Sequence, residues 1–381
     1  MQKKFFILFL SVIFCFAITC GRQDDCAYTI EIIDGVKHVH NRAPLWGDTL
    51  KVSLEFVQQI GEFDSEDENY LFFQPFDIAK DSVGNIYIAD MGNYRIQKFD
   101  SSGNYLATFG RKGQGPSEFS AQPYYLDLNS EGEIYVTDNS LTQWYILTPD
   151  GKEKKRFRLT EYGNQFRVSR AGNIFKSYRN MPVVLLYDKP IEQVTTHEFL
   201  IGVFDMEGNL IKEFGKPEDF KNDEVTRLSN INYIEIDQDY YSYISFYYKN
   251  LIEKYSPEGE LLIKIEYPIG FDLSYKVDLE ERETTTGIKY KAQKTDFPVV
   301  SANIGVDHKK RIWIIVVNKK TDKNNIPVYS TEFYIFDNEG ILLGKLPVPE
   351  IDGWMRIFQD RLYLIESFQN MCVYEYKIVD K

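Results

Sequence analysis

The sequence predicts an all-β fold: a six-bladed β-propeller of four-stranded antiparallel blades. Three observations predict it. A turn-and-strand phrase recurs six times. A second phrase of the same kind alternates with it and recurs five times. A lone strand-like run before the first copy supplies what the last blade lacks. Alternation at a long, regular period is the signature of a repeat architecture, and a β-sandwich does not repeat a two-turn unit six times.

The first phrase reads Gly84-Asn85-Ile86-Tyr87, Gly132-Glu133-Ile134-Tyr135, Gly172-Asn173-Ile174-Phe175, Tyr240-Tyr241-Ser242-Tyr243, Lys310-Arg311-Ile312-Trp313 and Asp360-Arg361-Leu362-Tyr363. The first three keep a turn glycine and the last three lose it. Each has an aromatic three positions after the turn residue. The second phrase reads Phe99-Asp100 with Gly103, Leu147 with Asp150-Gly151, Phe204-Asp205 with Gly208, Tyr255 with Gly259, and Phe336-Asp337 with Gly340. An Asp or Asn opens such a turn by bonding the backbone ahead of it, and a Gly takes the positive φ that closes it. The flanking runs alternate, as in residues 95–100, or are wholly apolar, as in 312–317. Both patterns read as strands. The first turn therefore joins strands one and two of a blade, and the second joins strands three and four.

After Tyr363 the chain has room for one more strand, residues 371–378. Its fourth partner is expected from residues 50–61, which close the ring beside the C-terminal blade. Closure removes the open edge that invites aggregation.

At the N-terminus, Lys3 and Lys4 precede an apolar run over residues 5–18, too short for a transmembrane span. Residues 1–19 read as an export signal. The run ends in Ala17-Ile18-Thr19-Cys20 followed by Gly21, which resembles a bacterial lipobox and implies lipidation of Cys20. An ordinary secretory signal is the alternative. The acidic stretch 21–25 resembles the surface-export signal of some Bacteroidetes lipoproteins. The expected organisation is a signal peptide (1–19), a lipidated tether with a hairpin (20–48) and the propeller (49–381). The expected location is the outer membrane, on the cell surface or the periplasmic face. An oxidising compartment permits a disulfide between Cys26 and Cys372; a buried free Cys372 is the alternative.

With 27 Tyr and 27 Phe, sheet-to-sheet packing is well supplied. The formal charge is −13, with no Lys/Arg cluster in the folded part. That excludes nucleic acid as a partner, because phosphate binding needs concentrated positive charge.

Residues 74–110 are close to an NHL repeat. Residues 110–119 resemble the loop between the first two blades of the six-bladed β-propeller lipoproteins of Bacteroidetes, with Ser117 where that loop has Gly. Residues 34–41, with Pro44-Leu45-Trp46, resemble that family's N-terminal hairpin. The resemblance covers about residues 30–381 and is strongest in the first two blades. It implies the fold and a surface or periplasmic lipoprotein. It implies no established reaction and transfers no catalytic residues.

Propellers bind ligands at one mouth of the central channel, where the loops between strands two and three meet the connections between blades. The candidate ligand-binding residues there are Asp90, Asn93, Tyr94, Tyr178, Arg179, Tyr247, Tyr248 and Phe368. The rings suit stacking on sugars or peptides; packing between blades is the alternative for each. Asp90 and Asn93, with Arg95, read equally as a brace of the inner strands. Loops 178–198 and 318–329 are long, which is often functional. Connection 268–298 is charged and partly helix-compatible, and either caps the mouth or packs on the rim. Residues 110–119 lack the phosphate-loop spacing.

Of four histidines, His38 and His40 fall in the hairpin. His197 and His308 remain, too few for a His-rich zinc centre. A calcium site of Asp and Asn oxygens stays open; otherwise no cofactor is expected. No G-x-S-x-G or H-E-x-x-H motif occurs, and no catalytic residue is assigned. Two readings of function follow. The first is a lipid-anchored binding or assembly module for a glycan, peptide or envelope protein. The second is a metal-assisted lyase or lactonase-like enzyme with a divalent ion in the channel. A purely structural envelope subunit is a third.

Overall fold

Six blades follow one another around a ring: residues 75–109, 125–158, 163–214, 232–266, 301–347, and 353–380 completed from the N-terminal side. The computed structural model describes residues 26–139, 141–179, 197–283, 289–321, 327–349 and 353–381. Each blade has four antiparallel strands, in sequence order in the first five blades, with the first on the channel side.

The recurring turn explains the recurring phrase. In blade 1 the Asp81 carboxylate accepts from the Val83 and Asn85 amides at 3.1 and 2.8 Å. Asp100, Asp205, Asp237, Asp307 and Asp337 repeat this pattern at positions two and four ahead. The carboxylate thus satisfies amides the tight turn leaves outside the ladder. In three blades it also takes the polar end of the phrase's aromatic: the Tyr87 and Tyr243 hydroxyls and the Trp313 indole N–H. Where the turn glycine is lost, the geometry persists. Tyr240 and Lys310 stand at φ 66° and 59°, a left-handed conformation that costs about 1 kcal/mol or more outside glycine.

Apolar residues fill the six gaps between blades. Tyr87, Ile96, Phe119 and Leu126 fill the first. Trp144, Phe166 and Ile174 fill the second. The remaining gaps are filled in the same way, around to Ile60, Ile88, Tyr363 and Val373 between blades 6 and 1.

The N-terminal segment straps the outside of three blades. Strand β1 (Tyr28–Ile33) pairs with β2 (Val36–Asn41), and β2 adds in parallel to Leu261–Glu266, the outer strand of blade 4. That sheet therefore has six strands. Asn41 ties it to blade 5, donating to the Gly340 carbonyl at 2.9 Å and accepting from the Leu342 amide at 2.7 Å. The Leu45 and Trp46 amides then bond the Leu342 and Leu343 carbonyls. Strand β3 (Val52–Ile60) finally pairs with Cys372–Asp380 and closes blade 6. Cys372 is buried there, Cys26 precedes β1 on blade 4, and no disulfide joins them.

One titratable contact holds the hairpin. His40 bonds Glu31 of β1 and Glu266 of blade 4, each at 2.9 Å. Burial lowers its pKa, but the bonds to Glu266 and Glu31 outweigh this and raise it. Its contribution is thus complete below the unfolded value near 6.5 and is lost as pH rises through the higher folded value. His38 beside it is shifted down by burial and Lys264, so the comparison must isolate His40. His40→Gln should remove a stability increment of at most about 1 kcal/mol at pH 5.5, and less at pH 8. Melting curves at the two pH values test this; an equal loss at both would refute it.

Connection 268–298 is a β-hairpin, Lys276–Glu283 with Lys289–Asp296, not a helix. Val277 and Leu279 have strand period, and that alternation prevails over the charged, helix-compatible composition.

Candidate functional site

The first strand of each blade carries a polar residue among apolar ones, and these residues meet on the channel axis. Arg356 of blade 6 donates to Asp77 of blade 1 at 3.1 Å and to Asp127 of blade 2 at 3.4 Å. Arg167 of blade 3 donates to Glu235 of blade 4 at 2.9 Å. Asn303 of blade 5 donates to the Met355 carbonyl of blade 6 at 2.7 Å. The carboxylates also take amides of the next blade: Leu126 N–H bonds Asp77 and Val168 N–H bonds Asp127. All are buried. Burial pushes the Asp77 carboxyl up against the opposing pull of Arg356 and Arg167. Burial disfavours the Arg356 charge, but Asp77, Asp127 and Glu235 outweigh it, so that guanidinium is held more firmly protonated than usual.

This axle bears on the calcium alternative. Carboxylates do converge on the axis, but guanidinium groups stand among them. Among the described residues, no group of three or more His, Cys, Asp or Glu side chains is placed to hold a metal ion.

Above the axle the channel opens into a cavity of about 280 Å³. Its wall is an aromatic collar. Phe76 lies 3.7 Å from Tyr124 and 5.2 Å from Trp354, ring centre to ring centre. Trp354 lies 5.7 Å from Tyr233, which lies 6.1 Å from Tyr247. Tyr247 and Tyr248 meet at 4.6 Å, and Tyr248 reaches Phe297 at 5.2 Å. Asn139, Asn164 and Arg179 supply polar edges. A bulge between Pro75 and Ile78 interrupts the blade 1 ladder. It lets adjacent residues serve both levels, Phe76 in the collar and Asp77 in the axle. Burial raises the phenol pKa values of Tyr124, Tyr125, Tyr233 and Tyr247, so these hydroxyls remain neutral donors and acceptors.

A narrow cleft continues the mouth between blades 3 and 4, lined by Tyr178, Arg179, Arg227 and Asn230 among others. The helix α1 (Asp223–Ser229), capped by Asn222, supplies Arg227.

The structure brings Tyr247, Tyr248 and Arg179 together at the cavity. Tyr178 is buried beside it and stacks on His197 at 4.2 Å. Asp90, Asn93 and Tyr94 lie apart from the cavity. Asp90 accepts from the Phe73 amide, Asn93 and Arg95 at 2.7–2.9 Å and braces the start of blade 1. Tyr94 closes a short turn at φ 56° with Lys112 over its ring. Phe368 is exposed on blade 6 and lines neither cleft. Cys20 and most of loop 178–198 lie outside the described residues.

Sequence reasoning missed Phe76, Tyr124, Tyr125, Tyr233 and Trp354, because it searched the loops. A signal existed in the first strands. Tyr125 with Asp127, Tyr233 with Glu235 and Trp354 with Arg356 share one spacing, an aromatic two residues before a charge. On a strand that spacing places both on one face.

No family model matches the chain. It is 26% identical over 147 residues, 38% of its length, to the protein brain tumor of Drosophila melanogaster, and that match spans 12% of the fly protein. Among solved structures it is similar to a member of the DUF4221 family from Bacteroides vulgatus, with 11% identity, a TM-score of 0.55, and coverage of 87% of this chain and 99% of the other. It is also similar to a Bacteroides fragilis protein named as a candidate exported protein, with 12% identity, a TM-score of 0.53, and coverage of 90% and 98%. At these identities the solved structures show the fold alone. Together these likenesses make the chain a six-bladed β-propeller, distantly related to NHL-type propellers.

Proposed function

We propose that this chain is a lipid-anchored envelope propeller whose mouth binds a glycan. The observation that carries the reading is the aromatic collar with its amide edges. Aromatic faces stack on the apolar faces of sugar rings, while Asn139, Asn164 and the neutral tyrosine hydroxyls meet ring hydroxyls. The volume sits at the lower edge of ligand-binding cavities, which suits a terminal sugar of a longer chain. A peptide end or a partner protein would use the same collar. The carboxylates that a metal-assisted enzyme would use are engaged by Arg356 and Arg167, so binding at the mouth is favoured over catalysis on the axis. The anchor would be Cys20, and the fold's likeness to a candidate exported protein supports an envelope location.

Tyr247→Ala with Tyr248→Ala should weaken glycan binding tenfold or more, since removing two stacking rings costs at least about 1.4 kcal/mol. Glycan-array capture followed by calorimetry on wild type and variant measures this. Unchanged affinity for every captured glycan, with the melting temperature retained, would refute the mouth assignment.

A further inference from the structure

The chain is strongly acidic, with a formal charge of −13, yet its mouth is not. Among the described residues, no Asp or Glu lines the cavity or the adjoining cleft. Two arginines do, and Arg179 lines both. Arg179 is held where it stands by its backbone, whose N–H donates to the Tyr162 carbonyl at 3.0 Å. Its side chain is half-buried, and its enclosed Nε meets no hydrogen-bond partner among the described residues. Lys249, next in the chain to the collar tyrosines, is paired with Glu218 at 3.5 Å. The cations along the axis each have a carboxylate partner, Asp77 and Asp127 for Arg356 and Glu235 for Arg167, although one enclosed guanidinium nitrogen of each is also unbonded among the described residues. Arg179 differs in having no carboxylate among the lining residues.

Enclosed polar atoms in native proteins are nearly always bonded, and each exception needs a reason. A guanidinium is the side chain best shaped for a carboxylate, which it holds through two parallel N–H···O bonds. In a cavity walled by rings, water competes weakly for that pair.

We propose that the mouth selects an acidic sugar, a uronic acid whose ring lies against the collar while its carboxylate pairs with Arg179. This rests on the glycan-binding reading and adds the charge of the ligand to it. The net negative charge of the whole chain repels polyanions at long range, so a ligand with few carboxylates fits better than a densely charged polymer. That argument also sets nucleic acid aside.

The test uses the mature chain with defined probes: digalacturonate and trigalacturonate, the same oligomers reduced at the carboxyl to neutral galactose units, and tripeptides with free or amidated C-termini. Calorimetry is run on wild type, Arg179→Ala, Arg179→Lys and the Tyr247→Ala, Tyr248→Ala double variant. The expected result is binding of the uronates at least tenfold tighter than of the neutral oligomers. Arg179→Ala should erase that preference without abolishing the residual binding of the neutral form. Arg179→Lys should restore part of it, because the charge returns without the fork. The uronate affinity should also fall with added salt. Equal affinity for acidic and neutral oligomers in wild type, with loss only in the tyrosine variant, would overturn the acidic-sugar inference and leave the mouth reading intact. Preference for a free over an amidated peptide terminus, with no uronate binding, would overturn the sugar class and retain Arg179 as the anion site. Absence of uronate binding at millimolar concentration together with no effect of Arg179→Ala on any glycan the wild type captures would overturn the inference outright.

Discussion

Arg356→Met is expected to lower the stability of the folded ring by about 3–5 kcal/mol, because it leaves two carboxylates buried without their cation. Arg356 is almost wholly enclosed, with 4% of its side chain exposed, and stands between Asp77 and Asp127. The methionine fills much of the space, so the effect is electrostatic rather than a cavity. Burial already raises the Asp77 pKa with Arg356 present. Without it, protonation of Asp77 becomes the cheaper state, and the variant should recover stability as pH is lowered. Adding Asp77→Asn and Asp127→Asn should restore a large part of the loss. An asparagine carbonyl can still accept from the Leu126 and Val168 amides that the carboxylates now serve. Denaturant midpoints of the single and triple variants decide the matter. A single variant as stable as wild type would show that the axle does not tie blades 6, 1 and 2 together.

A chain that begins at residue 62 should fail to give a soluble monomer, whereas one that begins at residue 43 should fold with a lowered melting temperature. The first removes β3. Blade 6 then keeps three strands and exposes the edge of Cys372–Asp380 along the whole register from Val373–Ile60 to Asp380–Val52. It also removes Val52 and Ile60, which belong to the cores on either side of blade 6. Fully burying one such side chain is worth about 1.5–3 kcal/mol, and an open edge templates association. The second truncation removes β1 and β2, which add to a blade that is already complete. Its cost is Val39, the His40 contact with Glu266 and the Asn41 bonds to blade 5. Size-exclusion profiles and melting curves of the two chains separate the outcomes. A monomeric, cooperatively melting chain from residue 62 would mean that β3 is dispensable for closure.

Much of this molecule was written in local patterns. The Asp–x–x–Gly turns announced their geometry because one carboxylate and the amides two and four residues after it settle it without help from the rest of the chain. The aromatic three positions later was legible as a repeat. Its reason, a hydroxyl or indole returning to the turn carboxylate, needed coordinates. The loop candidates Tyr247, Tyr248 and Arg179 fell at the mouth because strand-two ends must point there. Asp90 and Asn93 fell elsewhere because a buried carboxylate with three donors is consumed as a brace.

The number of blades, the order of their strands and the run that closes the ring were legible along the chain, because turns and strand periodicity are properties of neighbouring residues. Packing in space set that β1 and β2 strap onto blade 4, that Arg356 and Arg167 neutralise the axis, and that Phe76, Tyr125, Tyr233 and Trp354 of the inner strands, with Tyr124, form a collar beside Arg179, whose enclosed Nε has no partner among the described residues. Those facts join residues from different blades at separations that follow no fixed spacing. Electrostatic pairing and enclosure depend on distance in space, which a linear sequence does not carry.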